Sequence, residues 1–340
     1  VAIDASGSLV LTGPFSDVVD MGGGLLVSSG KQDVFVAKLD AAGNHLWSQR
    51  FGSAELDIGR SVAVDALGNV FVTGDFAGTV DFGGGPLTSA ARDMFIAKYD
   101  TAGSHLWSRR CGSNETGTET TGHAVVVDAS GSVVVTGAAF GTVNFGGGPL
   151  SSAAQDMYIA KYDTAGSHLW SRRFGSGDIG RATKGNAVAV DASGNVIVTG
   201  SFRGTVSFGG ESFTTAETDV YVAKYDEDGQ HLWSRHGGVT VLGLGHAVAA
   251  DVSGNVIVTG HFMDTVDFGG GPLAHAKGGD IFIVKFDAMG NHLWSQSFGG
   301  NSHDNGNSVA IDALGNVFAT GQFASIVDFG SGPFVSAGYD

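Results

Sequence analysis

Cysteine is all but missing from this 340-residue chain: Cys111 is the only one, which excludes an intrachain disulfide framework. It falls where other repeats carry Phe51, Phe174 and Phe298, so it reads as a small hydrophobe in a core slot and not as a reactive thiol. Positive charge is scarce as well. Lys and Arg total 18 against 34 Asp and Glu, a formal charge of −16. A surface this acidic repels the phosphates that dominate nucleic-acid affinity, so neither nucleic acid nor anionic membrane is an expected partner. No apolar run approaches the 18 residues of a membrane-spanning helix, and no basic-then-apolar leader opens the chain; a soluble protein without membrane insertion is expected. With 15% charged residues and 5 prolines, the composition is that of a folded chain and not of a disordered one. The start at Val1, inside what reads as a strand, suggests a processed precursor or a piece of a longer protein.

Glycine, by contrast, is abundant at 56 residues, and it recurs on a period. The run Val-Ala-Ile-Asp ending at Asp4 returns in close variants ending at Asp65, Asp128, Asp191, Asp251 and Asp312, at spacings of 61, 63, 63, 60 and 61. His-Leu-Trp-Ser returns at Trp47, Trp107, Trp170, Trp233 and Trp294. Asp93 to Arg110 and Asp156 to Arg173 differ only at Phe95 and Tyr158, as recent duplication of a unit would leave them. Such periodicity marks a repeat architecture. The repeats run approximately over 1–61, 62–124, 125–187, 188–247, 248–308 and a partial 309–340, and we expect them to form one domain.

Each unit holds four short runs rich in Val, Ile, Phe, Tyr and Thr, and none has the 3.6-residue period of an amphipathic helix. Four strands per unit predict an all-β propeller of four-stranded blades, about six in number with the last incomplete, or else part of a seven-bladed ring. Strands one and two, and three and four, are joined by short Asp-x-x-Gly turns, in which Asp bonds the turn backbone and Gly supplies a positive φ. Two long segments remain, the Gly-rich insert between strands two and three and the link to the next unit. Both are expected to emerge as loops on one face, which would then carry the variation and the ligand.

The string Val188 to Phe202, followed by Tyr-Val-Ala-Lys-Tyr-Asp and His-Leu-Trp-Ser-Arg, resembles the SBBP beta-propeller repeat family and, more distantly, NHL repeats. The resemblance covers essentially the whole chain. It implies a bacterial, extracellular or surface-associated binding or scaffold module, with enzymes in the minority. The sixth unit stops where its third strand would begin, which leaves an open edge near Val317 to Gly321 and predicts self-association there.

Aligned repeats place Arg60, His123, Asn186, His246 and Asn307 at one position at the start of the innermost strand. There they would ring a channel mouth and hold a small polar ligand or an anion. The links add Asp57, Glu115, Asp178, Arg181, His303 and Asp304, with Asp57-Ile-Gly-Arg60 recurring as Asp178-Ile-Gly-Arg181. These acids read as solvated turn residues. Clustered carboxylates of this kind can bind calcium, but none shows the alternating Asp pattern of a calcium loop. Two histidines two units apart do not make a metal site, so no metal or other cofactor is expected.

Residues repeated in every unit read as structural. The His of each His-Leu-Trp serves folding, the Trp and the paired Phe residues (Phe76 and Phe82, Phe202 and Phe208) pack between blades, and each strand-three Lys with the Asp two residues on forms an inter-blade ion pair or a turn contact. The sequence therefore points to a non-enzymatic binding or scaffold module with a protein or glycan ligand. A glycan-acting hydrolase or lyase that uses channel-mouth His and acids, best supported by His303 beside Asp304, is the alternative. A self-assembling structural module is the third reading.

Overall fold

Strands form where a repeat runs apolar, and they stop where Asp meets Gly. In the turn Asp65 to Asn69, the Asp65 carboxylate accepts from the amides of Leu67 and Asn69 and from the Asn69 side chain at 2.8–3.0 Å. Gly68 takes φ +83°, a conformation that glycine adopts without the cost a Cβ would bring. The computed structural model describes residues 1–113, 115–274 and 277–339, with the side chains of residues 274 and 339 outside that description.

The described chain is all β, and its strands fall into repeated antiparallel sheets ordered as in the sequence. Sheet one comprises Ala2–Ile3, Leu9–Phe15, Asp33–Leu39 and His45–Phe51; sheet two Ile58–Val64, Val70–Asp81, Pro86–Tyr99 and His105–Cys111; sheet three Glu119–Val127, Val133–Asn144, Pro149–Tyr162 and His168–Phe174. Sheet four comprises Thr183–Val190, Val196–Ser207, Ser212–Tyr225 and His231–His236; sheet five Leu242–Ala250, Val256–Met263, Asp280–Phe286 and His292–Phe298. Sheet six has Asn305–Ile311 and Val317–Gln322, followed by the hairpin Ala324–Asp328 and Pro333–Tyr339. Contacts gather these sheets into two compact units, Val1–Arg173 and Phe174–Asp340.

The long inserts are not the free loops expected from their glycines. In sheet two the insert prolongs strands two and three past a bulge at Phe76/Gly78, with Thr79↔Thr88 and Val80↔Leu87 in register. It then folds back along its own sheet, because its tip meets the opposite end: the Tyr99 hydroxyl donates to the Phe82 carbonyl at 3.0 Å, and Phe82 stacks on Phe95 at 4.3 Å. A Cβ on Gly83, at φ +110°, would come within 2.7 Å of His105, which explains both the glycine and the repeated histidine. Equivalent bonds join Tyr162 to Phe145 and Tyr225 to Phe208.

The folded insert fills the space between neighbouring sheets. Phe76 and Phe82 are buried with Phe51 of sheet one, Phe95 and Tyr99, and Phe145 occupies the same place between sheets two and three. Each fully buried Phe contributes about 2 kcal/mol. Cys111 sits in that second core at 2% exposure with Tyr162 against its sulfur, as its alignment with phenylalanines predicts; burial pushes its thiol up to about 11. Trp indoles bridge sheets, Trp107 donating to the Thr164 carbonyl and Trp233 to that of Ala288.

The repeated lysines pair differently from expectation. Lys224 binds Asp191 at 2.8 Å and Lys161 binds Asp128 at 3.0 Å, so strand three pairs with the first turn of the same repeat. The Asp two residues beyond each Lys caps the strand three–four turn instead, as Asp100 does for Ala102 and Ser104. A second buried set joins the start of strand three to the end of strand four, in Arg50–Asp33, Arg110–Asp93 and His236–Asp219.

Candidate functional site

Four of the links, where the repeats differ, are sewn to the preceding sheet. Single parallel bridges pair Gln32 with Leu56, Arg92 with Glu119, Thr218 with Leu242 and Gly279 with His303. At two of these bridges, Arg92 with Glu119 and Gly279 with His303, side chains gather from the link, from the start of the bridged sheet's own first strand and from its strand two. What fills those positions changes from sheet to sheet.

In the first unit the set is ionic. Arg60 and Arg92 both bind the Asp75 carboxylate, which is completely buried, and Arg92 also reaches Glu119 at 3.4 Å. In the second unit the set is three imidazoles. The His246 and His261 rings are 5.0 Å apart and the His261 and His303 rings 4.8 Å. His261 is 5% exposed, and its Nδ1 has no hydrogen-bond partner among the described residues. Burial first, then the neighbouring rings of His246 and His303, pushes its pKa down to about 4. Burial likewise lowers that of His246, whose Nδ1 donates to the Gly306 carbonyl at 3.0 Å, leaving Nε2 as the unprotonated nitrogen.

The five aligned candidates therefore do not act as one ring of free side chains. Arg60 turns to Asp75, His123 shares a hydrogen bond with Thr121 at 2.9 Å, and Asn186 donates to the Gly245 carbonyl at 2.9 Å just as His246 does to Gly306. Asn307 is exposed. Asp57 and Asp304 are not solvated acids. Both are fully buried: Asp57 accepts from the amides of Ser53 and Ala77, Asp304 from those of Gly300 and Ala324. Burial raises the Asp57 pKa even so.

Asp178, exposed, and Arg181, half-buried, form an ion pair at 3.8 Å, five residues short of the position Arg60 holds, so the recurring Asp-Ile-Gly-Arg string does not mark equivalent places. Glu115 is exposed, with its amide bonded to the Ser113 hydroxyl. His303 faces His261 while Asp304 is spent on amides, so the adjacent pair forms no acid–base dyad. Among the described residues, no three His, Cys, Asp or Glu side chains are grouped to hold a metal ion. Sequence reasoning missed His261, which sits inside an apolar strand. Its column reads Asp75, Ala138, Ser201 and His261, and that scatter within an otherwise constant Val-Thr-Gly run was the available signal.

The other recesses lie beside the folded inserts. In the first unit a groove of about 810 Å³ runs between strand four of sheet two and the insert of sheet three, lined by Leu87, Arg109, Cys111, Asn144 and His168. In the second unit the corresponding groove, about 720 Å³, lies between sheets four and five, lined by Glu211, Phe213, Arg235, His236 and Asp267. The architecture is shared and the lining is not. Phe213 replaces Leu87 and packs tilted against His236 at 4.5 Å, while Arg235 lies over Trp233.

A sequence profile of the beta-propeller repeat SBBP matches residues 46–75, which run from the fourth strand of sheet one into the second strand of sheet two. Among curated proteins, the uncharacterized WD repeat-containing protein L264 of Acanthamoeba polyphaga mimivirus is 22% identical over 407 residues, covering 95% of this chain and 29% of the viral protein. Regulatory protein FlaEY of Caulobacter vibrioides is 27% identical over 201 residues, covering 55% of this chain and 20% of its own. The chain thus spans less than a third of the length of these relatives. Among solved structures, a protein of unknown function from Bacteroides caccae aligns with TM-score 0.33 and 13% identity over 84% of this chain and 93% of that one. An ulvan lyase of polysaccharide lyase family PL25 aligns with TM-score 0.48 and 9% identity, over 95% and 71%.

Proposed function

Starting from a chain that carries an SBBP-type beta-propeller repeat, we propose that it is a non-enzymatic binding and scaffold module for a protein or glycan, with its six repeats as successive blades and an extracellular or surface setting. The observation that carries this reading is the pair of corresponding grooves, one in each unit, whose framework repeats while its lining varies. The invariant polar groups are spent on the fold: the lysines on the turn aspartates, the histidines on the insert tips, the indoles on neighbouring carbonyls. Specificity then rests with what differs, namely Leu87 or Phe213, Asn144 or Asp267, Arg110 or His236, around a constant Arg109 or Arg235. An arginine beside aromatic and turn groups suits carboxylate-bearing ligands, since the guanidinium binds carboxylates in bidentate fashion and stacks on rings. Two such grooves on one chain add avidity to weak single contacts.

The test is a glycan array and a cross-linking pull-down with the labelled chain, each repeated with Arg109→Ala/Arg235→Ala. Loss of about ten-fold or more in affinity with an unchanged circular dichroism spectrum is expected, at about 1.4 kcal/mol per ten-fold. Undiminished binding by the folded double variant would overturn the assignment. A self-assembly reading has its own observation: Val317–Gln322 pairs only with Asn305–Ile311 among the described residues, and Phe318 is 58% exposed.

A further inference from the structure

The cluster of three histidines occurs in one sheet only and lines neither groove. It sits where two elements are held together. Gly306, which accepts the His246 bond, lies in the first strand of sheet six, whereas His246 lies in that of sheet five. His303 is on the link between the two sheets and is bridged to Gly279, with the Asp304 amide donating to the Gly279 carbonyl at 2.8 Å. His261, from strand two of sheet five, is the middle ring.

We propose that His246, His261 and His303 form a proton-operated clasp that holds the link and the first strand of sheet six against sheet five while the rings are uncharged, and releases them on acidification. Uncharged, the rings pack in tilted and edge-on contacts, and His246 has its carbonyl acceptor. A proton on His261 places a charge in a buried site with an imidazole on either side and no acceptor at Nδ1. The acids on these elements are not among the groups that shift His261. Asp304 is engaged by the amides of Gly300 and Ala324, Asp280 lies against the Gly299 backbone, and Asp264 accepts from Thr240. The groups that act on His261 are the other two histidines, which disfavour its charged form.

The sign follows from linkage. A histidine whose folded pKa lies below its unfolded value contributes stability that is complete above the unfolded pKa and is lost as pH falls toward the folded one. With a fall from 6.5 to about 4, opening of this clasp rises roughly 30-fold between pH 7.5 and pH 5.

Amide hydrogen exchange, corrected for intrinsic rates, tests this at both pH values. In the wild-type chain, residues 300–311 should show the roughly 30-fold rise in opening while the reference strand Val133–Asn144 does not. In His261→Ala, which puts at this position the alanine that Ala138 already supplies in sheet three, the rise should collapse to within about three-fold. An equal rise in the variant, no rise in the wild type, or a rise shared by the reference strand would each overturn the clasp. Imidazole NMR gives an independent check: His261 should titrate well below 6.5, and titration at 6.5 would also refute it.

Discussion

Lys224 and Asp191 show what the repeats do with charge at the scale of single residues. Each side chain is 2% exposed, and they meet at 2.8 Å, with the Lys224 ammonium also bonded to the Gly254 carbonyl. Burial pushes the Asp191 carboxyl up, but the bonds from Lys224 and Asn195 outweigh it and hold the pKa below its ordinary value. A depressed carboxylate gives stability that is present above the unfolded pKa and lost as pH falls through the folded one, so this pair fails in acid below about pH 4, under the window of the histidine clasp. Asp191→Ala strands a buried cation and should cost about 3–5 kcal/mol by urea denaturation; Lys224→Met with Asp191→Ala should recover part of that loss. The structural role of these residues was legible from their repetition, their partners were not. Residues two apart share a strand face, yet the lysine crosses to another turn, and only the folded sheet brings Asp191 there.

At the scale of elements, the insert is where sequence and structure part. Runs such as Gly-Gly-Gly-Pro have low strand propensity and read as loop. The Gly-Thr-Val-Asp-Phe stretch alternates as a strand does, but on the partner arm Leu87 is the sole large apolar residue, so a hairpin signal is thin there. What decides the element is its tip, which has to lie flush against His105. Ala at Gly83 and Ala at Gly85 isolate that contact. Both positions have φ above +100°, but a Cβ at Gly85 meets nothing within 4 Å. The shared backbone strain should cost each variant about 1–3 kcal/mol. Gly83→Ala should lose a further ~1–3 kcal/mol from the overlap with His105, read as a lower urea midpoint. Equal midpoints would mean that the tip does not bear on the sheet.

For the whole molecule, the period, the four strands per repeat and the all-β class could be read directly, because apolar runs and Asp-Gly turns are local signals. The candidate site could not, because its positions are gathered by bridges between a link and an earlier sheet; His261 and Asp75 acquire their meaning only from the residues brought opposite them. Among the described residues Val317–Gln322 is paired on one side only, which belongs to this scale as well. In sheet five the matching strand, Val256–Met263, is covered by a third strand, and Ile257 and Val258, which match Phe318 and Ala319, are 0–1% exposed. Sedimentation velocity should therefore show association that grows with concentration and is weakened by Phe318→Lys; a strict monomer across the millimolar range would count against it.

The bridge between link and preceding sheet makes a repeat such as the second both socket and plug. It offers a strand-three residue, Arg92, to the repeat that follows, and it reaches back with Leu56 of its own link to the repeat before. A copied unit therefore arrives with both halves of the joint, and an array can lengthen without any new junction having to be invented. That is the condition under which segments as alike as Asp93 to Arg110 and Asp156 to Arg173 can stand next to each other in one chain.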